Sequence, residues 1–255
     1  MSAPALDRTA AVLDPVSELV SHLRWRTGEL AEDELACDDL AADPDRLWGT
    51  VAATAEGRGS DDPQVLGSLW FQAYAYRVAG MSLAAYLCTG EVPDAGAGAM
   101  GIGIARARPS SVTWLPTARE PTLDLEEACA RLFGDHLDRV ADGLRARVAL
   151  GEQLLWGDCA AGCASATGAV TSATVAAGGD PAPMWDRVER FLAAAPHGLD
   201  ALGAWTEAAD GPAYRRNSCC LWYKTTASEG RTCEDCSLRS QGMQPAPPPP
   251  ESAAR

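Results

Sequence analysis

The chain has 255 residues, a formal net charge of -14 and a sequence pI near 4.6. This length suits one large domain or two small ones and allows a sizeable core. A strongly acidic chain is a poor match for nucleic acid or an anionic membrane surface, so neither is expected as the main partner. The first residues show no basic segment followed by an apolar one; we therefore expect no signal peptide and a cytoplasmic protein.

One uncharged run, Cys159 to Gly179, approaches the roughly 20 residues that a membrane span needs. It consists mostly of Ala, Gly, Ser and Thr, and Asp158 and Asp180 bound it. Its transfer free energy is therefore too small to hold it in lipid. We predict no transmembrane segment and, instead, a helix whose small residues allow close packing inside the protein.

Proline next to aspartate predicts three helix starts in the first third of the chain. Asp14-Pro15 would begin an amphipathic helix that ends near Gly28. Asp43-Pro44 and Asp62-Pro63 carry the same signal for a second and a third helix. The segment from Ser82 to Cys88 continues the third helical pattern.

The glycines from Gly96 to Gly101 match a dinucleotide-binding fingerprint by letters alone. A true fingerprint follows a strand and opens a helix. Here Pro93-Asp94 precedes the glycines, and Ile102 and Ile104 after them have the pattern of a strand. We therefore predict a flexible glycine turn and a strand, with a partner strand at Val112 to Leu115, which makes a small mid-chain β element.

The helical period returns over Leu123 to Val148, which predicts a long helix. A buried helix is predicted over Gly151 to Ala176. Two last short helices follow at Trp185 to Leu192 and at Leu199 to Trp205. The fold class expected from these elements is α+β, predominantly α-helical.

Five of the nine cysteines give only a weak indication of chemistry. Cys159 and Cys163 are four residues apart, which places both thiols on one helix face, but such cysteines are most often small buried hydrophobes. Three isolated cysteines have the same interpretation: Cys37, Cys88 and Cys129. The three histidines are too scattered for a catalytic centre and are predicted at the surface or on a helix face: His22, His136 and His197.

The other four cysteines fall within eighteen residues: Cys219, Cys220, Cys233 and Cys236. In a chain kept in a reducing compartment, thiols this close favour a metal site over disulfides. Adjacent cysteines face opposite ways in an extended chain, so both reach one centre only if the backbone bends. Structural zinc sites usually space each ligand pair by two to four residues. An iron-sulfur cluster contains two irons, so two adjacent thiolates need not bind the same metal atom. A zinc site remains the alternative.

The segment that contains them reads RRNSCCLWYKTTASEGRTCEDCSLR. It resembles the C-terminal region of the FhuF-like ferric siderophore reductases, in which Cys-Cys, a spacer of about ten residues and Cys-x-x-Cys hold a [2Fe-2S] cluster. The spacer here has twelve residues. Because Thr225 to Gly230 has the composition of a surface turn, we interpret the extra length as a longer loop that leaves the ligands in place.

The resemblance implies that these four cysteines hold a [2Fe-2S] cluster and that the protein is an oxidoreductase. One-electron reduction of a ferric siderophore to Fe(II) would release the iron, with electrons from a ferredoxin or similar donor. Two other classes remain open: a zinc-stapled helical binding protein, and an iron-sulfur electron carrier with another acceptor. The negative charge of the chain favours neutral or cationic hydroxamate siderophores over anionic catecholates.

Four residues near the cysteines are candidates for tuning the cluster or contacting the substrate. Arg215 and Arg216 would offset the negative charge of a thiolate-ligated cluster, or they form a solvated basic turn. Trp222 and Tyr223 would contact substrate, or they shield the cluster. The expected organisation is a mainly helical domain over residues 1–210, an iron-sulfur-binding segment over 211–240 and a disordered Pro- and Ala-rich tail over 241–255.

Overall fold

The computed structural model describes residues 3–20, 23–118, 124–208 and 211–241. Over these residues the fold is α+β and predominantly α-helical, as predicted, with one four-stranded sheet and one two-stranded sheet. Of the tail over 241–255, which was predicted as disordered, residues 242–255 lie outside the described residues, as does His22, whereas Gln241 ends a 3₁₀ segment.

The N-terminal prediction was wrong at both ends. Helix α1 (Ala3–Leu19) begins well before Asp14 and continues through Pro15. Val12, Leu13 and Val16 are all buried, so the apolar face that stabilises this helix extends to both sides of the proline. The expected continuation to Gly28 is replaced by strand β1 (Trp25–Thr27), because these residues pair in parallel with a later strand.

Short elements follow, and one of them starts as predicted. They are β2 (Glu34–Ala36), α2 (Cys37–Ala42), α3 (Pro44–Ala52) and α4 (Ala55–Arg58). The Asp43 carboxylate accepts the N–H groups of Asp45 and Arg46, which confirms the cap at the start of α3.

The long central helix α5 (Pro63–Thr89) confirms the third helix start. The Asp62 carboxylate caps it by accepting the Gln64 N–H, and the helix continues without a break through Gly80 to include Ser82–Cys88. Most of α5 is buried on all sides, as expected of a helix that is apolar all round.

The mid-chain β element is confirmed and is larger than predicted. The glycines lead through a 3₁₀ turn (Ala97–Ala99) into β3 (Met100–Ala105), which forms a hairpin with β4 (Arg108–Trp114). The sheet order is β1-β4-β3-β2, with β1 parallel to β4 and the other pairs antiparallel.

The long helix predicted after Leu123 is present with a π-helical middle. It consists of α6 (Leu125–Cys129), a π segment (Ala130–Asp138) and α7 (Arg139–Arg145). His136 lies on a face of this helix, one of the two positions predicted for it, and this face is turned inward, so the side chain is fully buried. It is held between the Tyr74 hydroxyl, 2.6 Å from Nε2, and the Ala95 carbonyl, 2.8 Å from Nδ1.

Helix α8 (Glu152–Ala176) packs along α5, and small residues determine how closely. A Cβ at Gly80 would lie 3.2 Å from the Gly162 carbonyl oxygen, and one at Gly162 would lie 3.0 Å from the Cα of Tyr76. The prediction of close packing by small residues is confirmed. No helix within the described residues is long and apolar enough to cross a bilayer.

The last two helices were predicted half correctly. Helix α9 (Ala182–Ala194) includes the Trp185–Leu192 segment. The second was wrong: a 3₁₀ segment (Pro196–Ala201) leads into β5 (Gly203–Ala208), which pairs with β6 (Gly211–Arg216). Trp205 lies opposite Tyr214 in this hairpin, and a cross-strand aromatic pair stabilises strands over a helix here.

Candidate metal centre

The β5–β6 hairpin carries the chain to the first cysteine pair and holds the second pair beside it. The Arg216 N–H, at the end of β6, donates to the Asp235 carbonyl at 3.0 Å, and the Asn217 N–H donates to the Leu202 carbonyl at 2.9 Å. Asp235 lies between Cys233 and Cys236. Residues separated by about twenty positions are thus joined through the backbone, and we call residues 217–236 the cysteine segment.

The backbone bends immediately after the adjacent cysteines. Leu221 has φ +66, a left-handed conformation that non-glycine residues seldom adopt, and a 3₁₀ turn (Trp222–Lys224) follows. This is the kind of bend that neighbouring thiols need in order to serve one metal centre. The spacer loop, residues 221–232, then returns the chain to Cys233.

The four cysteines interact as two pairs. Cys220 Sγ lies 3.7 Å from Cys233 Sγ, and Cys219 interacts electrostatically with Cys236. Each pair combines one member of the adjacent Cys-Cys with one member of Cys-x-x-Cys. Cys220 and Cys236 are each 1% exposed, whereas Cys219 and Cys233 are partly exposed.

Two backbone N–H groups point at sulfur. The Leu221 N–H donates to Cys219 Sγ and the Leu238 N–H donates to Cys236 Sγ, each at 3.4 Å. Hydrogen bonds of this kind stabilise thiolate charge, and in metal-thiolate centres they contribute to the reduction potential.

The thiols of the cysteine segment differ in acidity. The hydrogen bond from Cys233 lowers the pKa of Cys220 to about 6, while burial raises the pKa of Cys219 to about 12. The same hydrogen bond raises the pKa of Cys233, so the proton of that pair stays on Cys233. Cys220 is therefore the thiol that ionises first.

The donor set fits a binuclear thiolate centre. Two thiolates on one tetrahedral metal at about 2.3 Å stand about 3.8 Å apart, close to the 3.7 Å of the Cys220–Cys233 pair. Two such pairs would provide two ligands for each of two metal ions. Within the described residues, no group of three or more His, Cys, Asp or Glu side chains is already arranged around a single metal position.

The start of α5 forms an apolar surface under the cysteine segment. Val65, Leu69 and Cys220 form a small buried cluster, against which Trp222 packs, and the Ser68 hydroxyl donates to the Cys220 carbonyl at 2.9 Å. Trp222 therefore occupies a position that shields Cys220 from water. Tyr223 is partly buried, and its carbonyl accepts the Ser228 hydroxyl at 2.9 Å.

The spacer loop is a turn as predicted, but it is packed and not free. Its Thr226 N–H donates to the Gly59 carbonyl at 3.3 Å, and a Cβ built on Gly59 would stand 1.8 Å from Thr226 Oγ1. Thr225 and Ser228 are buried within the turn. The longer spacer thus contacts the end of α4.

The two arginines before the cysteines have different environments. Arg216 is 1% exposed and forms an ion pair with Asp158 of α8, which is also fully buried; Asp235 lies 3.8 Å from its Nε. The alternative of a solvated basic turn is wrong for this residue. Arg215 is partly exposed and donates to the Cys236 carbonyl at 3.4 Å.

Burial has opposite consequences for the two partners of this pair. Burial raises the pKa of the Asp158 carboxyl, and the Arg216 guanidinium opposes that shift. Burial alone would lower the pKa of Arg216, but the carboxylates of Asp158 and Asp235 raise it above its ordinary value. Arg216 is therefore a permanent buried cation close to the cysteine segment.

An open cleft of about 710 Å³ borders the Cys-x-x-Cys turn. Its aromatic side chains are Tyr76, Trp205 and Tyr214, and its charged ones are Glu234, Asp235 and Arg239, so acidic side chains outnumber basic ones. The volume falls in the range of small-molecule sites, roughly 300–1,000 Å³. A molecule bound there would lie next to the two residues that separate Cys233 from Cys236.

Sequence reasoning missed these cleft residues and Asp158. One signal was present for the hairpin: an Asp-Gly dipeptide at 210–211 lies between two aromatic residues of the future strands, and such dipeptides are typical of two-residue hairpin loops. Asp158 carried no signal beyond its place at the edge of an uncharged run.

Four of the five remaining cysteines are buried, and Cys88 is partly buried; Cys159 and Cys163 are 0% and 1% exposed, as predicted. Burial raises the pKa of both, which keeps them protonated and unreactive.

Comparison of the sequence with protein-family models and with curated proteins finds no match.

Proposed function

We propose that the protein is a cytoplasmic ferric siderophore reductase that holds a [2Fe-2S] cluster on Cys219, Cys220, Cys233 and Cys236. The observation that supports this most strongly is the distance of 3.7 Å between Cys220 Sγ and Cys233 Sγ, which brings one thiol of Cys-Cys beside one thiol of Cys-x-x-Cys. The resemblance of the segment to FhuF-like reductases supplies the reaction.

A bound cluster supplies one electron at a time, and one electron converts Fe(III) to Fe(II). The electron comes from a reduced ferredoxin or similar donor, which is oxidised in the same exchange. Siderophore oxygens are hard ligands that hold ferric iron strongly and the softer ferrous iron weakly. Reduction therefore releases the metal and leaves the siderophore intact.

The cleft at the Cys-x-x-Cys turn is where the substrate binds. The rings of Tyr76, Trp205 and Tyr214 provide apolar contact area, and Glu234 and Asp235 bring negative charge to the wall nearest the cysteines. A trianionic ferric catecholate is repelled there, whereas a neutral or amine-bearing ferric hydroxamate is not. Hydroxamates are thus the preferred class.

The residues around the cysteines have supporting roles. Arg216 compensates negative charge from a buried position, and the N–H groups of Leu221 and Leu238 stabilise the sulfurs. Trp222 keeps water from Cys220 through its packing on Val65 and Leu69.

The test is anaerobic purification followed by metal and sulfide analysis. We expect a reddish-brown protein with about two irons and two acid-labile sulfides per chain. Replacement of any of the four cysteines by serine should bleach it. Cys163→Ser on α8 is the matched control and should leave the colour unchanged.

Three outcomes distinguish the alternatives. A colourless protein with stoichiometric zinc contradicts the proposal and favours a zinc-stapled binding protein. A protein with the cluster that fails to reduce any ferric hydroxamate in single-turnover mixing is an electron carrier for another acceptor. Oxidation of the dithionite-reduced protein by a ferric hydroxamate, with Fe(II) trapped by a chelator, supports the reductase.

A further inference from the structure

A second cavity, of about 220 Å³, lies between the end of α4 and the β3–β4 hairpin turn. Its wall contains three arginines, Arg58, Arg106 and Arg108, together with Thr54 and Gly57. We call it the arginine cavity. Neither the cysteine segment nor the large cleft includes any of these residues.

These arginines differ from most others in the chain because they have no carboxylate partner among the described residues. Nine arginines there form ion pairs with Asp or Glu: Arg8, Arg26, Arg46, Arg131, Arg139, Arg145, Arg147, Arg216 and Arg231. With 35 acidic residues available, a chain of this charge would be expected to pair exposed arginines readily. The arginine cavity instead gathers like charges.

A fourth arginine adds to the positive field. Arg77 of α5 interacts electrostatically with Arg58 and Arg108, and its Nε is buried with no hydrogen-bond partner among the described residues. Burial and then the neighbouring arginines lower the pKa of Arg77 to about 10, and they lower that of Arg58 as well. Clustered guanidinium groups that are partly removed from water are unfavourable unless an anion compensates them.

The hairpin turn that presents Arg106 is held in an unfavourable backbone conformation. Arg106 and Ala107 have φ values of +50 and +58, and neither is a glycine. Two successive left-handed residues form the tight two-residue turn that closes a β-hairpin, and this conformation costs about 1 kcal/mol or more when neither residue is a glycine. The two-residue turn keeps Arg106 and Arg108 facing the cavity.

The size of the cavity restricts the ligand. A volume of 220 Å³ corresponds to about seven water molecules, at about 30 Å³ each. This is enough for a tetrahedral oxyanion and a few waters. Guanidinium groups match phosphate and sulfate oxygens in bidentate fashion.

We propose that the arginine cavity binds a divalent tetrahedral oxyanion, either free phosphate or the phosphate group of a larger metabolite. The mouth of the cavity is formed by the exposed Arg106 and Arg108, so a phosphate monoester can insert its phosphate and leave the rest in solvent. Arg58 is next to Gly59, which contacts the spacer loop, so the anion also stabilises the cysteine segment.

The experiment measures the thermal unfolding of the protein as purified, at constant ionic strength, with chloride, inorganic phosphate, sulfate or glucose 6-phosphate. Phosphate at about 100 times its Kd should raise Tm by roughly 5–10 °C relative to chloride. An equal or larger shift with glucose 6-phosphate identifies a phosphorylated metabolite as the source, whereas a shift with the inorganic anions alone identifies the free ion. Because no electron transfer is measured, the outcome is independent of siderophore reduction.

Two variants remove the site and one serves as the control. Arg58→Gln/Arg108→Gln should abolish the shift, and the exposed single variant Arg106→Gln should weaken phosphate binding about tenfold without a risk to folding. Arg139→Gln is the matched control, because Arg139 also lines a cavity but is paired with Asp38. Equal Tm in phosphate and chloride, or a phosphate shift that Arg106→Gln and Arg139→Gln reduce alike, overturns the proposal.

Discussion

Removal of the Asp158 carboxylate should destabilise the protein strongly through Arg216. Asp158 lies on α8 and Arg216 at the end of β6, and both are buried. Within the described residues, Nη1 of Arg216 has no hydrogen-bond acceptor, so Asp158 carries most of the compensation for this cation. Asp235, 3.8 Å from Nε and partly exposed, supplies the remainder.

Asp158→Ala leaves a buried guanidinium with little compensating charge, which costs about 3–5 kcal/mol in the free energy of unfolding. Because Asp235 remains, we expect a value near 3 kcal/mol. For a protein of this size, each kcal/mol corresponds to a shift of about 2–4 °C in Tm. A decrease in Tm of roughly 6–12 °C should follow, together with faster loss of any bound cluster.

Removal of both charges should cost much less than removal of one. The double variant Asp158→Leu/Arg216→Met replaces the pair by apolar side chains of similar length, a change that is often close to neutral for buried ion pairs. The single variants Asp158→Leu and Arg216→Met complete the double-mutant cycle, and its coupling free energy should be about 2 kcal/mol or more in favour of the pair.

The assay is guanidinium denaturation followed by circular dichroism under anaerobic conditions, with the cluster absorbance recorded in parallel. Asp142→Ala is the control, because Asp142 is exposed, lies 3.9 Å from Arg145 and should contribute less than about 0.5 kcal/mol. Two results would refute the reasoning: a cost below about 1 kcal/mol for Asp158→Ala, or additive effects in the cycle.

Three further predictions concern pH, the spacer loop and substrate choice. Burial lowers the pKa of His136 to about 4, so the full stability of the protein is present above the unfolded pKa of about 6.5, and about 3 kcal/mol is lost as pH falls through the folded pKa. His136→Gln should therefore flatten the dependence of the free energy of unfolding, measured in urea, on pH between 6.5 and 4. An unchanged slope would contradict this. Gly59→Ala should lower the free energy of unfolding by more than 1 kcal/mol and speed cluster bleaching, because the added Cβ collides with the spacer loop. The control Gly178→Ala, at φ +79 with open space around it, should add backbone strain alone, and equal bleaching rates in the two variants would argue against the contact. In single-turnover mixing at low salt, Glu234→Gln should reduce the ratio of the rates with ferric hydroxamate and ferric catecholate about twofold. Glu229→Gln, which removes an equal charge outside the cleft, should leave this ratio unchanged, and a ratio that does not depend on salt would remove the electrostatic explanation.

The sequence by itself determined the elements whose signals are local. Asp43-Pro44 and Asp62-Pro63 predicted the starts of α3 and α5, because a carboxylate cap and a proline in the first turn act within a few residues. The hairpin at Ile102 and the helix at Gly151–Ala176 followed from short-range periodicity. The spacing of Cys219, Cys220, Cys233 and Cys236 likewise predicted a metal site, and the resemblance of their segment implied the cluster; both stay predictions.

Tertiary structure decided everything that depends on residues distant in sequence. Trp25–Thr27 is a strand because Val112–Trp114 lies beside it, and three residues are too few to show a strand period on their own. The partner of Arg216 is 58 residues away on helix α8, and the arginine cavity joins α4 to a hairpin about fifty residues later. Such contacts are selected by packing of the whole chain, since burial and charge compensation depend on which surfaces meet and not on local sequence.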